Sequence, residues 1–127
     1  MNHHKIWHWT HELAKRRLRA MTKTEVRTVA ELTELLDGIR TVVATHADWA
    51  DTTRLVADEL RRRLPRPEVL TAEQRLGSPE GYRSHTLHVE PDGSFSVVGL
   101  VWRPGQLTRI HDHLTWCVFG VIQGVEH

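Results

Sequence analysis

The pattern of apolar positions divides the chain into a helical first half and a strand-like second half. Over residues 29–43, apolar side chains recur at steps of three and four, which predicts an amphipathic helix ending near residue 45. A second apolar stripe over residues 55–64 predicts another helix. From Tyr82 onwards the apolar period changes to two, which is the period of a β-strand.

Local signals refine the ends of the two helices. Thr28 and Glu31 fit a capping box, in which the threonine hydroxyl and the glutamate carboxylate satisfy each other's backbone donors, so we expect the first helix to begin there. Asp48 or Asp51 can cap the second helix. Gly38 lies in the middle of the first helix, where it costs about 1 kcal/mol relative to alanine and is the candidate position for a kink.

The second half of the chain predicts four strands, and the first two form a hairpin. The predicted strands cover residues 84–89, 95–102, 107–113 and 116–123. Residues 90–93 read as the hairpin turn, since they end in an Asp-Gly pair. The second strand is apolar on both faces, which predicts a central strand that is covered on both sides. Helices followed by strands indicate an α+β fold, with helices packed outside a curved antiparallel sheet.

Composition and charge narrow the classes of function. The formal net charge is +1, so the chain has no overall attraction to nucleic acid or to a membrane. No apolar run is long enough to span a bilayer, and the start lacks the apolar section of a signal peptide. Cys117 is the only cysteine, which excludes an internal disulfide and fits a reducing compartment. We therefore expect a soluble, cytoplasmic, single-domain protein.

The beginning of the chain differs from the rest in composition. Residues 1–27 hold seven basic side chains against two acidic ones, and residues 1–20 add four histidines and two tryptophans. Such a segment fits an arm for an anionic surface, an adventitious metal-binding tract, or an N-terminal extension of no separate function. We favour the extension, over residues 1–20, with the domain covering residues 21–127.

The candidate chemistry of the chain lies in His111 and His113. One residue separates them, so on a strand both imidazoles would project to the same side and Asp112 to the other. Neutral imidazole suits iron, zinc, copper or nickel, and two rings that converge form half of a metal site. The alternative is a pair of solvated or internally hydrogen-bonded histidines.

A longer motif surrounds the two histidines. The spacing of Gly105, His111, His113, Cys117 and Gly124 resembles the first motif of the cupin barrels, with Cys117 at the position where most cupins carry glutamate. The neighbouring segments resemble the cysteine dioxygenase family of thiol dioxygenases. These segments are residues 101–106, 110–113, 116–117 and 123–124. Upstream, residues 82–98 are similar to the bacterial branch of the family, which includes 3-mercaptopropionate dioxygenases.

The resemblance implies both a fold and an activity. The fold would be an antiparallel, cupin-type (jelly-roll) β-barrel with the helices packed on it. In the family, three histidines hold Fe(II), and His111 and His113 match two of them. The reaction oxidises a small thiol, such as cysteine or 3-mercaptopropionate, to its sulfinate with O2.

The chain stops directly after the first cupin motif, and this limits the expected barrel and the expected binding of iron. The second motif, with the third histidine and the closing strands, is missing, and His127 does not match the third ligand. We therefore expect the N-terminal portion of a thiol dioxygenase domain, with an incomplete barrel and weak or absent iron binding. The alternative is an inactive cupin fragment with a structural or residual metal-binding role.

Three further residues are candidates for the catalytic site. Cys117 matches a cysteine that is cross-linked to a downstream tyrosine in mammalian-type members, although a buried thiol filling a core gap is the favoured interpretation. Arg83 could pair with a substrate carboxylate if a local bulge turned it inward. Trp116 adjoins the histidine strand and is expected in the pocket wall. His85 and His88 are interpreted as ordinary polar residues of a strand rather than as donors to the site.

Overall fold

The structure is a computed structural model that describes residues 20–126. The N-terminal extension expected over residues 1–20 therefore lies outside the described residues, except for Ala20, and so does His127. The described chain is α+β, with helices first and one two-stranded antiparallel sheet afterwards. Its elements are α1 (Lys23–Val43), α2 (Trp49–Arg62), a 3-10 turn (Pro67–Val69), α3 (Ala72–Arg75), β1 (Arg83–Val89) and β2 (Ser96–Val101).

Helix α1 begins earlier than the sequence pattern predicted. Its N-cap is Thr22, whose hydroxyl accepts a hydrogen bond from the Glu25 backbone N–H at 3.2 Å, while Glu25 accepts from the Thr22 backbone N–H at 2.7 Å. The predicted start at Thr28 is wrong, because both Thr-x-x-Glu words fit a capping box and the longer helix gains one backbone hydrogen bond per added residue. Glu31 lies inside the helix and forms an ion pair with Arg66 at 2.9 Å instead.

The start of helix α2 is decided by a single side chain. Asp48 is its N-cap and accepts a hydrogen bond from the backbone N–H of Asp51 at 2.8 Å, so Asp48, and not Asp51, caps the helix. Helix α2 ends at Arg62, shortly before Pro65, which cannot donate a backbone hydrogen bond.

The core lies where α1, α2 and the hairpin meet. Its buried members share one apolar cluster, and they are Leu35, Leu36, Ile39, Val42, Val56 and Phe95. Leu35 is 1% exposed, which makes it the most completely buried side chain of this cluster. Phe95 enters the cluster from the start of the second strand, so the hairpin and the helices share one core.

Gly38 serves the contact between α1 and α2. Helix α1 is one continuous helix through this position, so the expected kink is not needed to explain the glycine. A Cβ atom at residue 38 would overlap the carboxylate of Glu59 on α2. That carboxylate forms ion pairs with Arg62 and Arg63 in the last turn of α2 and beside it. Gly38 therefore leaves room for an ion-paired side chain between the helices.

Strands β1 and β2 form the predicted hairpin. The turn is closed by a hydrogen bond from the Gly93 N–H to the Glu90 carbonyl at 2.9 Å, and Gly93 adopts φ +74°, a conformation that favours glycine. The register changes between Thr86, opposite Val98, and His88, opposite Val97, so Leu87 is the extra residue of a β-bulge.

One face of the hairpin packs towards the helices and the other is exposed. Val98 and Leu100, on the outer face of β2, are 47% and 42% exposed. The expectation that this strand is covered on both sides is therefore wrong for the described residues. The alternation of burial along β2 is that of a strand with one solvated face.

The strands predicted over residues 107–113 and 116–123 are not present as regular secondary structure. Within the described residues, β1 and β2 pair with each other and no third strand joins their sheet. A strand exists only when its backbone groups bond to a neighbour, so an alternating pattern without a paired neighbour leaves the chain irregular. Trp116 and Val118 nevertheless pack against the helical core. Among residues 20–126, the structure contains no helix with the length and apolarity of a membrane span.

An ion-pair network joins the hairpin to α1. The Arg40 guanidinium donates through Nε to both carboxylate oxygens of Glu90, at 3.0 and 3.1 Å, and through Nη1 to Asp37 at 2.9 Å. His88 Nε2 lies 2.7 Å from the same Glu90 carboxylate, which can only accept, so the imidazole donates. The hydrogen bonds from Arg40 first, and then from His88, hold the pKa of Glu90 below its ordinary value.

We predict that Leu35→Ala destabilises the protein by about 2 to 5 kcal/mol, because it removes a buried side chain and leaves a cavity in the shared core. Val29→Ala, on the exposed side of the same helix, is the matched control and should change the free energy of unfolding by no more than about 0.5 kcal/mol. Chemical denaturation monitored by circular dichroism measures both values. Equal effects of the two substitutions would contradict the assignment of the core.

We predict that Glu90→Gln reduces the change of folding stability with pH in the acidic range. The folded pKa of Glu90 is lowered, so its contribution is present above the ordinary glutamate pKa, about 4.3, and is lost as the pH falls through the folded value. The variant should be less stable than the wild type at neutral pH, and the difference should shrink in acid. Glu34→Gln, at an exposed position of α1, is the control. A constant difference from neutral pH to acid would argue against this role.

Candidate metal-binding site

A tight turn leads from β2 into the segment that carries the histidine pair. The Gln106 N–H donates to the Arg103 carbonyl at 3.0 Å, and Gly105 adopts φ +82° after Pro104, which are the features of a type II turn. The turn predicted at Pro104 and Gly105 is therefore present. The Gln106 side chain donates to the Ser78 carbonyl at 2.7 Å, and this bond fixes the turn against the loop before β1.

The rings of His111 and His113 lie side by side. Their centroids are 4.9 Å apart and their planes are inclined by 56°. Because the segment is irregular, the alternation of a strand does not explain this neighbourhood. His111 Nδ1 lies 2.7 Å from the backbone carbonyl of Arg109, and a carbonyl oxygen only accepts, so Nδ1 carries the proton. The lone pair of neutral His111 is then on Nε2. Metal-binding histidines share this arrangement, in which one ring nitrogen donates a hydrogen bond and the other can bind the metal.

The spacing of the two rings fits two neighbouring ligands of one metal ion. An imidazole–metal bond of about 2.0–2.1 Å puts the ring centroid about 3.2 Å from the metal, so two ligands at 90° to 109° have centroids about 4.5 to 5.2 Å apart. The observed 4.9 Å lies within this range. Within residues 20–126, no group of three or more His, Cys, Asp or Glu side chains could hold a metal ion, so this part of the chain contributes two candidate ligands.

A cleft of about 400 Å³ adjoins His111, one member of the histidine pair. It is lined by Tyr82, Leu107, Thr108, Arg109 and His111. The sequence interpretation assigned no role to Leu107, Thr108 or Arg109. The only signal in the sequence for Arg109 is its position two residues before a candidate ligand.

Tyr82, which lines this cleft, belongs to an aromatic pair. Tyr82 stacks on Trp102 with ring centroids 5.5 Å apart and an angle of 26° between the planes. Trp102 Nε1 donates to the Thr108 hydroxyl at 2.9 Å. These contacts attach the segment after the turn to the end of the hairpin, and they make Trp102, rather than Trp116, the tryptophan beside the cleft.

Arg83 is engaged away from the cleft. Its guanidinium donates to Glu80 at 3.0 Å and to the Ser78 hydroxyl at 2.9 Å. The β-bulge lies at Leu87, whereas Arg83 is paired opposite Val101 in regular register, so no bulge redirects Arg83. Arg83 is not among the residues that line the cleft. Its role in binding a substrate carboxylate stays a prediction that this geometry does not support.

The two remaining candidates, Trp116 and Cys117, do not line the cleft. Cys117 is exposed, so the favoured interpretation as a buried thiol is wrong. No strand connects His113 to Cys117, so the alternation of a strand does not place the two side chains on one face. Trp116 is partly buried and packs against the helical core instead of the wall beside the histidines. Their expected catalytic roles stay predictions.

The histidines of β1 have other surroundings than the candidate pair. His88 belongs to the network with Glu90 and Arg40, which joins the hairpin to α1. His85 Nε2 is buried and has no hydrogen-bond partner among the described residues. Neither His85 nor His88 lines the cleft.

The chain was compared with known protein families and with solved structures. No protein-family model matches the chain, and no solved structure matches it.

We predict that neutral His111 carries its proton on Nδ1, because Nδ1 donates to the Arg109 carbonyl. Heteronuclear NMR of the ring nitrogens, recorded at a pH above the titration of the histidines, distinguishes the two tautomers. His46, an exposed histidine just after α1, is the comparison. Protonation of His111 on Nε2 would contradict the orientation described for the pair.

Proposed function

We propose that His111 and His113 are two of the ligands of an Fe(II) centre in a thiol dioxygenase of the cysteine dioxygenase type. The observation that carries the proposal is the pair of adjacent imidazoles, with ring centroids 4.9 Å apart and with His111 Nε2 left free by the bond of Nδ1. The spacing from Gly105 to Gly124 supports the same assignment. A third protein ligand would come from outside residues 20–126.

The proposed reaction oxidises a small thiol with one molecule of O2. Two S–O bonds form and the O–O bond breaks, so sulfur loses four electrons, O2 gains four, and the thiol RSH becomes the sulfinic acid RSO2H. Bound Fe(II) supplies the redox chemistry for this transfer and a site for the thiolate. The chain would supply the two imidazoles as ligands, the Arg109 carbonyl that orients His111, and a partly apolar cleft that His111 lines.

We also infer that the fold is of the cupin type. The alternating patterns of residues 107–113 and 116–123 suit strands that would pair once further strands extend the sheet. The outer face of β2, with exposed Val98 and Leu100, would be covered in such a barrel. The α+β order, with helices on one face of the hairpin, is compatible with this arrangement.

A second candidate function is metal binding without oxidation of a thiol. The exposure of both His111 and His113 favours it, because water reaches the two rings freely. An oxygenase site gains from the exclusion of water, which limits side reactions. The same experiment separates the two candidates.

We predict that the chain binds Fe(II) weakly and loses it during gel filtration, because residues 20–126 contribute two ligands. The assay is therefore run with excess Fe(II), loaded anaerobically, and with cysteine or 3-mercaptopropionate as substrate. Oxygen uptake and sulfinate, measured by an electrode and by mass spectrometry, should rise together above the protein-free blank. His111→Ala and His113→Ala should return both signals to the blank.

The matched control is His46→Asn, which replaces an exposed histidine at φ +51° with a residue that tolerates this conformation. It should behave like the wild type. Oxygen uptake equal to the blank, together with histidine-dependent metal binding in a titration, would reject the dioxygenase and support metal binding alone. Retention of one equivalent of iron through gel filtration would contradict the two-ligand description.

A further inference from the structure

The backbone of residues 107–126 is unpaired within the described chain. Among residues 20–126, the last backbone-to-backbone hydrogen bond along the sequence joins Gln106 to Arg103, and residues 107–126 take part in none. Backbone N–H and carbonyl groups without a partner in their own chain bond to water or to another molecule. This segment therefore has a row of donors and acceptors that another chain can bind.

Part of the segment has the alternation of a strand with one covered face. Trp116 and Val118 pack against the helical core, and Gly120 lies so close to Leu64 that a Cβ atom would come within 2.9 Å of that side chain. The residues between and after them are exposed, and these are Cys117, Phe119 and Val121. A segment with one face against the helices and the other in solvent lacks only a neighbour to become a strand.

The same stretch carries no charge. Residues 114–125 contain no Asp, Glu, Lys, Arg or His, and this is the longest such run in the chain. Natural proteins protect unpaired strand edges with charged side chains or proline, and residues 114–125 have neither. The stretch has no charge to complement a charged partner, whereas a second copy of it presents the same unpaired backbone and the same apolar side chains.

The exposed apolar surface of the segment is large enough for a reversible dimer. Five of its apolar side chains are at least 74% exposed, and these are Leu107, Ile110, Leu114, Phe119 and Val125. At roughly 100 Å² of apolar surface for each such side chain, they offer on the order of 500 Å², without counting the main chain. A standard interface buries about 800 Å² per partner, and weaker interfaces bury less.

We propose that residues 116–123 become a β-strand by pairing with the same residues of a second copy, antiparallel about a twofold axis. The pairing uses the same edge of both copies, so it closes at two chains. Main-chain hydrogen bonds join the copies, and the outward side chains Phe119 and Val121 contact their cross-strand neighbours from the partner. The pairing needs no metal and is independent of the proposed oxidation.

Sedimentation of the full chain over about a hundredfold range of concentration tests the proposal. The metal-free, reduced protein should pass from monomer to dimer as its concentration rises. Hydrogen exchange, measured by mass spectrometry at both ends of the range, should show that the amides of residues 116–123 become protected in the dimer alone.

Val121→Lys should raise the dissociation constant of the dimer by about tenfold or more, because it brings two like charges into one interface. Val26→Lys is the matched control, since Val26 on α1 is 50% exposed and Val121 is 46% exposed. It should dimerise like the wild type.

Proline variants test the main-chain pairing without adding a charge. The N–H groups of neighbouring residues in a strand point to opposite edges, so one of Val121→Pro and Ile122→Pro should weaken the dimer far more than the other. Neither removes a backbone hydrogen bond of the described monomer, so thermal unfolding of the dilute protein should be unchanged. If Val121→Lys loses its helical circular dichroism, the proline pair decides the question.

A protein that stays monomeric at every concentration overturns the proposal. The same holds for a dimer that Val26→Lys weakens as much as Val121→Lys does, and for a dimer in which the amides of residues 116–123 stay unprotected. Growth beyond two copies also overturns it, because pairing about a twofold axis ends at a dimer.

Discussion

The attachment of the hairpin to helix α1 is the interaction on which the second half of the structure depends. Glu90, at the hairpin turn, receives two hydrogen bonds from Arg40 and one from His88. Phe95, a few residues further on, is buried among the apolar side chains of α1. The polar bonds orient the hairpin relative to helix α1, and the burial of Phe95 adds apolar contact with that helix. Every residue of the candidate site follows this hairpin or lies at its ends.

The site is then positioned by a short series of contacts that start at the hairpin. The turn at Pro104 and Gly105 reverses the chain after β2, and Gln106 bonds to the loop before β1. The stack of Tyr82 and Trp102, and the bond from Trp102 to Thr108, continue this attachment towards the histidines. His111 is finally oriented by the carbonyl of Arg109. Each step uses a local hydrogen bond or ring contact, so the irregular segment has a defined path without being a strand.

The helical half followed from local patterns because local interactions decide it. The apolar stripes predicted both long helices, and an Asp N-cap was predicted for α2. The start of α1 was wrong because two Thr-x-x-Glu words lie six residues apart, and a local rule cannot choose between them. The hairpin turn at Glu90–Gly93 and the turn at Pro104 and Gly105 were also readable, since glycine supplies backbone conformations that other residues avoid.

The sequence by itself determined the α+β order, the main helices, the two turns and the pair of histidines that defines the candidate site. Only the tertiary structure decided that Gly38 makes room for Glu59 and that Arg83 pairs with Glu80. It also placed Arg109 among the residues that line the cleft. It also decided that residues 107–113 and 116–123 are irregular, although their pattern is that of strands. The physical reason is common to these cases. Periodicity and capping act between residues close in sequence, whereas strand pairing and the partner of a charged side chain depend on which distant groups the fold brings near.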